Sequence, residues 1–130
     1  MAIPLQSLSG TEVLRRGGIN DQSTAETWFN LDGTSPSTTS TSGAVPTNHI
    51  ITMLSIILCE KSNATRTFTL YAHDGTTQAN IIEAQSVGAY ETFVFSDKFV
   101  LIGGDNLKIN CSASSNFQIN YMYIDTNWEN

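Results

Sequence analysis

Hydrophobic and polar residues alternate along most of this chain in short runs separated by turn-forming residues. TRTFTLYAH places Phe68, Leu70 and Ala72 on one side of an extended backbone and Thr67, Thr69 and Tyr71 on the other, the period of a strand with one buried face. Asp74-Gly75 closes that run as a hairpin signal. FQINYMYID does the same, setting Phe117, Ile119, Tyr121 and Tyr123 against Gln118, Asn120 and Met122. Around Gly103-Gly104-Asp105 the segment KFVLIGGDNLKINCSA predicts two short strands, the second alternating Leu107, Ile109 and Cys111 with Asn106, Lys108 and Asn110. AYETFVF puts Phe93 and Phe95 on one face, and TQANIIEAQ reads as a further strand or, alternatively, a helical turn. Towards the N-terminus, TEVLRRGGI predicts a strand that ends or bulges at Gly17-Gly18, where the missing Cβ permits positive φ. AETWFNLDG predicts another, closed by Asp32-Gly33.

About eight short strands with no sustained helical period predict an all-β chain. Without crossover helices the strands pair antiparallel. The expected architecture is an antiparallel two-sheet β-sandwich, jelly-roll or immunoglobulin-like, spanning residues 11–130. Residues 1–10 read as an extended N-terminal arm, with Ile3, Leu5 and Leu8 as apolar contacts and Pro4 preventing a regular start. SPSTTSTSG, low in complexity, fits an edge strand or a long surface loop.

HIITMLSIILC, residues 49–59, departs from the half-buried pattern because both of its faces are apolar. Strict alternation places Ile50, Leu54, Ile56 and Leu58 on one side and Ile51, Met53, Ile57 and Cys59 on the other. A sandwich strand normally buries one face and wets the other. Leaving Ile51, Met53 and Ile57 bare would create the apolar patch that soluble monomers avoid. The second face therefore needs a cover, either the N-terminal arm or another protomer, and assembly into a homo-oligomer is the preferred reading.

Composition agrees with that preference. Charged residues make up 14% of the 130-residue chain, against about 25% in typical globular domains, and neutral polar side chains are cheaper to desolvate than ions. A net charge of −6 with six basic residues argues against nucleic acid, which requires clustered Lys and Arg. Arg15-Arg16, the only adjacent basic pair, reads as a solvated strand end or a salt bridge to a neighbour. The apolar run is too short for a bilayer, which takes about 20 residues. MAIPLQSLSG lacks the basic start and apolar run of a secretory leader. Cys59 and Cys111 are then expected as free thiols inside strands, the alternative being a disulfide, which would need their strands within about 7 Å between Cα atoms.

Searches for catalytic or metal chemistry return nothing. His49 opens a strand and His73 ends one, with no nucleophile motif beside either. Asp105 lacks the further carboxylates of a calcium loop and reads as a turn residue. Asn63-Ala64-Thr65 and Asn110-Cys111-Ser112 match a glycosylation triplet, which a chain without a leader would not use. No cofactor and no enzymatic activity are expected. The aromatics are more informative. Trp28 and Phe29 face opposite ways on one strand, and Trp128 lies three residues from the C-terminus. Tryptophan anchors interfaces, so the candidate interface comprises Ile3, Leu5, Leu8, Trp28, Phe29, Ile51, Met53, Ile57 and Trp128. Exposed aromatics also stack on sugar rings, which keeps a carbohydrate-binding reading open.

The order of elements across VPTNHIITMLSIILCEKSNATRTFTLYA and ETFVFSDKFVLIGGDNLKINCSASSNFQINYMYID resembles a group of small β-sandwich structural proteins of tailed bacteriophages. The matching features are Val45-Pro46 ahead of a long apolar strand, the turn from Cys59 to Asn63, the run Phe68-Thr69-Leu70, and the hairpin from Leu101 through Leu107. The resemblance implies a virion protein made in the bacterial cytoplasm, most simply a decoration (cement) protein bound to the major capsid protein. A tail, collar or fibre component, including a receptor-binding one, is the alternative. It also implies a non-enzymatic homo-oligomer, often a trimer.

Overall fold

The computed structural model describes residues 11–19, 27–32, 43–112 and 117–128; Ile3, Leu5, Leu8 and the rest of the expected arm lie outside them. Nine strands are described: β1 (Thr11–Ile19), β2 (Thr27–Trp28), β3 (His49–Glu60), β4 (Arg66–His73), β5 (Gln78–Val87), β6 (Thr92–Phe95), β7 (Phe99–Ile102), β8 (Asn106–Cys111) and β9 (Phe117–Asn127). They form two antiparallel sheets. The first runs β1-β9-β3-β6, with β7 also on β3, and the second runs β2-β8-β4-β5.

β6 and β7 pair with successive halves of β3, residues 56–59 and 50–53 respectively. They act as one edge strand broken at residues 96–98. Counted that way, there are eight strands in two four-stranded sheets. The chain's first and last strands are neighbours, and β2 and β8 pair in the opposite sheet. This is the strand order of a jelly roll, two interlocked Greek keys, and it decides between the two sandwich types that local patterns left open.

Between the sheets lie the alternating side chains that the sequence marks as apolar. Phe117, Ile119, Tyr121 and Tyr123 of β9 meet Phe68, Leu70, Leu107 and Ile109 of the second sheet, all of them buried. Edge-to-face ring contacts cross the gap, with Phe68 centred 5.4 Å from Phe93 and 5.9 Å from Phe117. Each fully buried side chain of this size contributes about 1.5–3 kcal/mol of transfer free energy. Asp74-Gly75 forms its expected turn, the Asp74 carboxylate accepting from Thr76 and Thr77 N–H at 2.9 and 2.7 Å. Those backbone donors hold the Asp74 carboxyl below its usual range. Asp105 likewise turns β7 into β8 by accepting from Ile102 N–H at 2.9 Å.

Three expectations are corrected. β1 neither ends nor bulges at Gly17-Gly18; it pairs with β9 without interruption to Ile19. Glycine is required at 17 because an added Cβ would overlap the Tyr121 ring. Tyr71, expected to face water, is 2% exposed. It shares its row with Lys108 and Trp28, and the Lys108 ammonium sits 4.5 Å above the Trp28 ring, so the outer face of the second sheet carries its own packed row. The largest correction concerns β3. Its register against β9 shifts between Met53 and Ser55, a β-bulge that inserts Leu54 and reverses the phase of everything beyond it.

Buried polar groups are tied across the sandwich. The Tyr121 hydroxyl accepts from Asn30 N–H at 2.9 Å and donates to Asn30 C=O at 3.2 Å, binding the segment after β2 to the centre of β9. Burial raises the Tyr121 phenol well above its ordinary value. The folded chain therefore keeps this proton where the unfolded chain releases it. Its contribution is full below about pH 10, the ordinary tyrosine pKa, and is lost as pH rises further. Tyr121→Phe strands a buried N–H and should cost about 1–3 kcal/mol, while making the alkaline fall in stability shallower; urea unfolding at a series of pH values tests both. Gly17→Ala should destabilise comparably or more through overpacking, read as a lowered Tm.

Candidate functional site

The bulge at Leu54 sorts the apolar residues of β3 differently from strict alternation. Ile51, Met53, Ile56 and Leu58 all point into the core, each at most 1% exposed. Ile51 and Met53, expected at an interface, are therefore core residues, as is Phe29, which packs 4.7 Å from Tyr121 centroid to centroid. Trp28 is half-buried beneath Lys108. Ile57 crosses to the outer face together with Ile50, Thr52 and Cys59, all half-buried. The second face of β3 remains apolar, but with a different membership.

Pairing extends that face across the whole first sheet. One row aligns Leu14, Ile124, Thr52 and Val100; another aligns Asn120, Ile57 and Val94; a third aligns Thr126, Ile50 and Ile102. Leu14 is 70% exposed, Val100 and Ile102 57%, Val94 55% and Met122 40%. The outward side chains of β9, β3, β6 and β7 include no charged residue. Charge enters only on β1, at Glu12 and Arg16, and Arg16 donates to Asn120 Oδ1 at 3.4 Å.

A second feature lies at the end of this sheet where β3 begins and β7 and β9 finish. A groove of ≈ 500 Å³ opens there between the 47–48 turn, the Gly103-Gly104 turn and Trp128. Its frame is backbone: Gly104 N–H donates to Val45 C=O, Val45 N–H to Asp105 C=O, and Trp128 N–H to Asn48 C=O, at 2.9, 2.9 and 3.1 Å. Beside it, Asp125, 3% exposed, accepts from His49 Nδ1 at 2.7 Å and from Arg15 Nε at 3.0 Å. Arg15 thus pairs within its own chain. Sequence reading passed over Asp125, although its spacing continues the inward series of Phe117, Ile119, Tyr121 and Tyr123 to the strand's end.

Cys59 and Cys111 form no disulfide, the first lying half-buried on the outer face and the second buried in β8. Among the described residues no cluster of three metal-ligating side chains occurs and no helix is long and apolar enough to cross a membrane.

No protein-family model matches the chain, and no curated protein matches it either. Among solved structures it is similar to one of infectious bursal disease virus, Gx strain, at TM-score 0.52 and 10% identity, covering 94% of this chain and 35% of that one. The chain thus spans about a third of that protein's length. Weaker likenesses are to Eiger TNF from S. frugiperda (TM-score 0.40, 9% identity, 88% and 92% covered) and to the Yersinia pseudotuberculosis-derived mitogen (0.34, 16%, 93% and 89%). At such identities the first shows a shared β-sandwich fold alone, and the other two carry no weight.

Asp125→Ala would leave Arg15 and His49 without their shared carboxylate. Both can turn towards water, their side chains being 36% and 21% exposed, so the loss should be about 1–3 kcal/mol rather than that of a sealed ion pair. Urea unfolding at neutral pH measures it.

Proposed function

We propose that this protein is a non-enzymatic structural component of a virus particle, acting through self-association and attachment to a larger protein lattice. The carrying observation is the apolar outer face of the first sheet, uncharged on β9, β3, β6 and β7 and charged only at its β1 edge, at Glu12 and Arg16. Four strands about 4.8 Å apart and some ten residues long give it a footprint on the order of 700 Å². That is close to the ~800 Å² each partner contributes to a standard protein interface. Interface centres are depleted in charge, as β9, β3, β6 and β7 are on this face, so it can be covered by another copy of the chain or by the lattice. Burying Leu14, Val94, Val100, Ile102 and Met122 would supply the drive for association.

Support for the particle comes from the jelly-roll order of the sheets and from the fold shared with a bursal disease virus structure. The resemblance to phage sandwich proteins narrows the proposal to a decoration protein bound to a major capsid protein, with a tail, collar or fibre position as the alternative. The virion is then the site of action and three the expected copy number.

Sedimentation of the purified chain should show concentration-dependent association. Met122→Glu and Val94→Glu, each placing a carboxylate on the outer face, should return a monomer whose Tm is within a few degrees of the parent. Antibody labelling of particles in the electron microscope should decorate them at symmetry-related positions. A monomer at every concentration, with unlabelled particles, would reject the proposal.

A further inference from the structure

The end groove shares Ile50 and Ile102 with the apolar face beside it and adds groups that face lacks. The Trp128 ring forms one wall and is 51% exposed, although an apolar ring of that size is normally covered. The opposite wall is nearly bare backbone. Gly104 has φ +93 and nothing within 4 Å of where a Cβ would stand, whereas a Cβ at Gly103 would press on Pro46 O at 3.0 Å. Side chains are thus excluded at one position by crowding and at the other by backbone conformation. Between the walls lie His49, Asn48 and Thr47.

His49 is held by a buried carboxylate. With Nδ1–H donating to Asp125, the neutral ring presents Nε2 as an acceptor. That bond fixes ring orientation, and Arg15 Nε holds the Asp125 carboxylate from the other side at 3.0 Å. An aromatic plate, a fixed imidazole, a hydroxyl and an open backbone turn in a groove of ≈ 500 Å³ fall within the size range of small-ligand sites.

We infer that this groove binds a neutral saccharide, one pyranose stacking on Trp128 and its hydroxyls hydrogen-bonding to His49 and Thr47. The apolar face of a pyranose presents C–H bonds to the negative face of an aromatic ring, while its edge presents hydroxyls to polar groups. Among the described residues no Lys or Arg lines the groove, which disfavours sialylated or sulfated glycans, as does the net charge of −6. Among the described residues no carboxylate lines it either, so the proposal is one of binding and includes no paired acids of glycoside hydrolysis. Because Ile50 and Ile102 belong both to the groove and to the apolar face of the first sheet, the test has to separate sugar binding from self-association.

The test uses the full chain with Trp28→Phe, which makes Trp128 the only tryptophan. Cellobiose, maltose, lactose and N,N′-diacetylchitobiose are titrated against its emission, with saturation-transfer NMR on the same mixtures and on the unmutated chain. The expected result is a saturable emission change with at least one disaccharide, with transfer to its ring protons. Trp128→Ala should abolish that transfer, and His49→Ala should weaken binding roughly tenfold, as loss of one well-placed hydrogen bond implies. Absence of transfer with all four sugars overturns the inference. So does binding undiminished by Trp128→Ala, or Trp128 emission that follows protein concentration instead of sugar, which would mean that a second copy fills the groove.

Discussion

Pairing of β3 with β9 along almost their whole lengths holds the first sheet together, and one extra residue in that pairing decides the character of the molecule's surface. Were Leu54 not inserted, Ile51 and Met53 could not share the core with Ile56 and Leu58, since side chains on one face recur every second residue. The bulge lets one strand supply four core residues from two opposite phases. It also sends Ile57 and Cys59 outwards to join Ile50 and Thr52. The neighbouring edge accommodates this by breaking between β6 and β7, which pair with β3 on either side of the bulge.

The two sheets are treated differently by their surroundings. The second sheet covers its outer face locally, with Lys108 over Trp28 and Tyr71 buried in the same row; there a cation lies across an aromatic ring and its methylene stem shields apolar surface. The first sheet has no such device among its described residues. On β9, β3, β6 and β7 its outward positions are isoleucine, valine, leucine and methionine interspersed with threonine, serine, cysteine, glutamine and asparagine, with Glu12 and Arg16 confined to β1. Those neutral polar groups cost little to desolvate compared with ions, which is why such a face can pass from water into a protein contact.

At the sheet's end the constraint changes from packing to hydrogen bonding. Three loop segments converge where β3 starts and β7 and β9 stop, and backbone hydrogen bonds between them leave a rigid frame. Asp125, an inward carboxylate near the end of β9 in register with Val13 and Ile51, recruits Arg15 and His49. The same frame that closes the sandwich therefore positions an imidazole beside an exposed indole. Tyr121 performs the equivalent closing task in the interior by clamping Asn30.

Much of this was legible in the chain itself. Period-two alternation located the strands from 49 onward and the inward residues of β9, because each strand's own burial pattern is written in its side chains. The turn residues Asp74-Gly75 and Gly103-Gly104-Asp105 were equally plain, since their conformations are local. What local patterns could not contain was the partner. The position of the bulge depends on how β3 meets β9, the need for Gly17 on a ring more than a hundred residues away, and the burial of Tyr71 on a row assembled from three strands. Ile51, Met53 and Phe29 were misplaced for that reason, and the Asp125–His49–Arg15 cluster, gathered from three strands at one end of the sheet, exists only once the jelly roll has closed. Strand identity is a property of neighbours in sequence, whereas phase, cover and site are properties of neighbours in space.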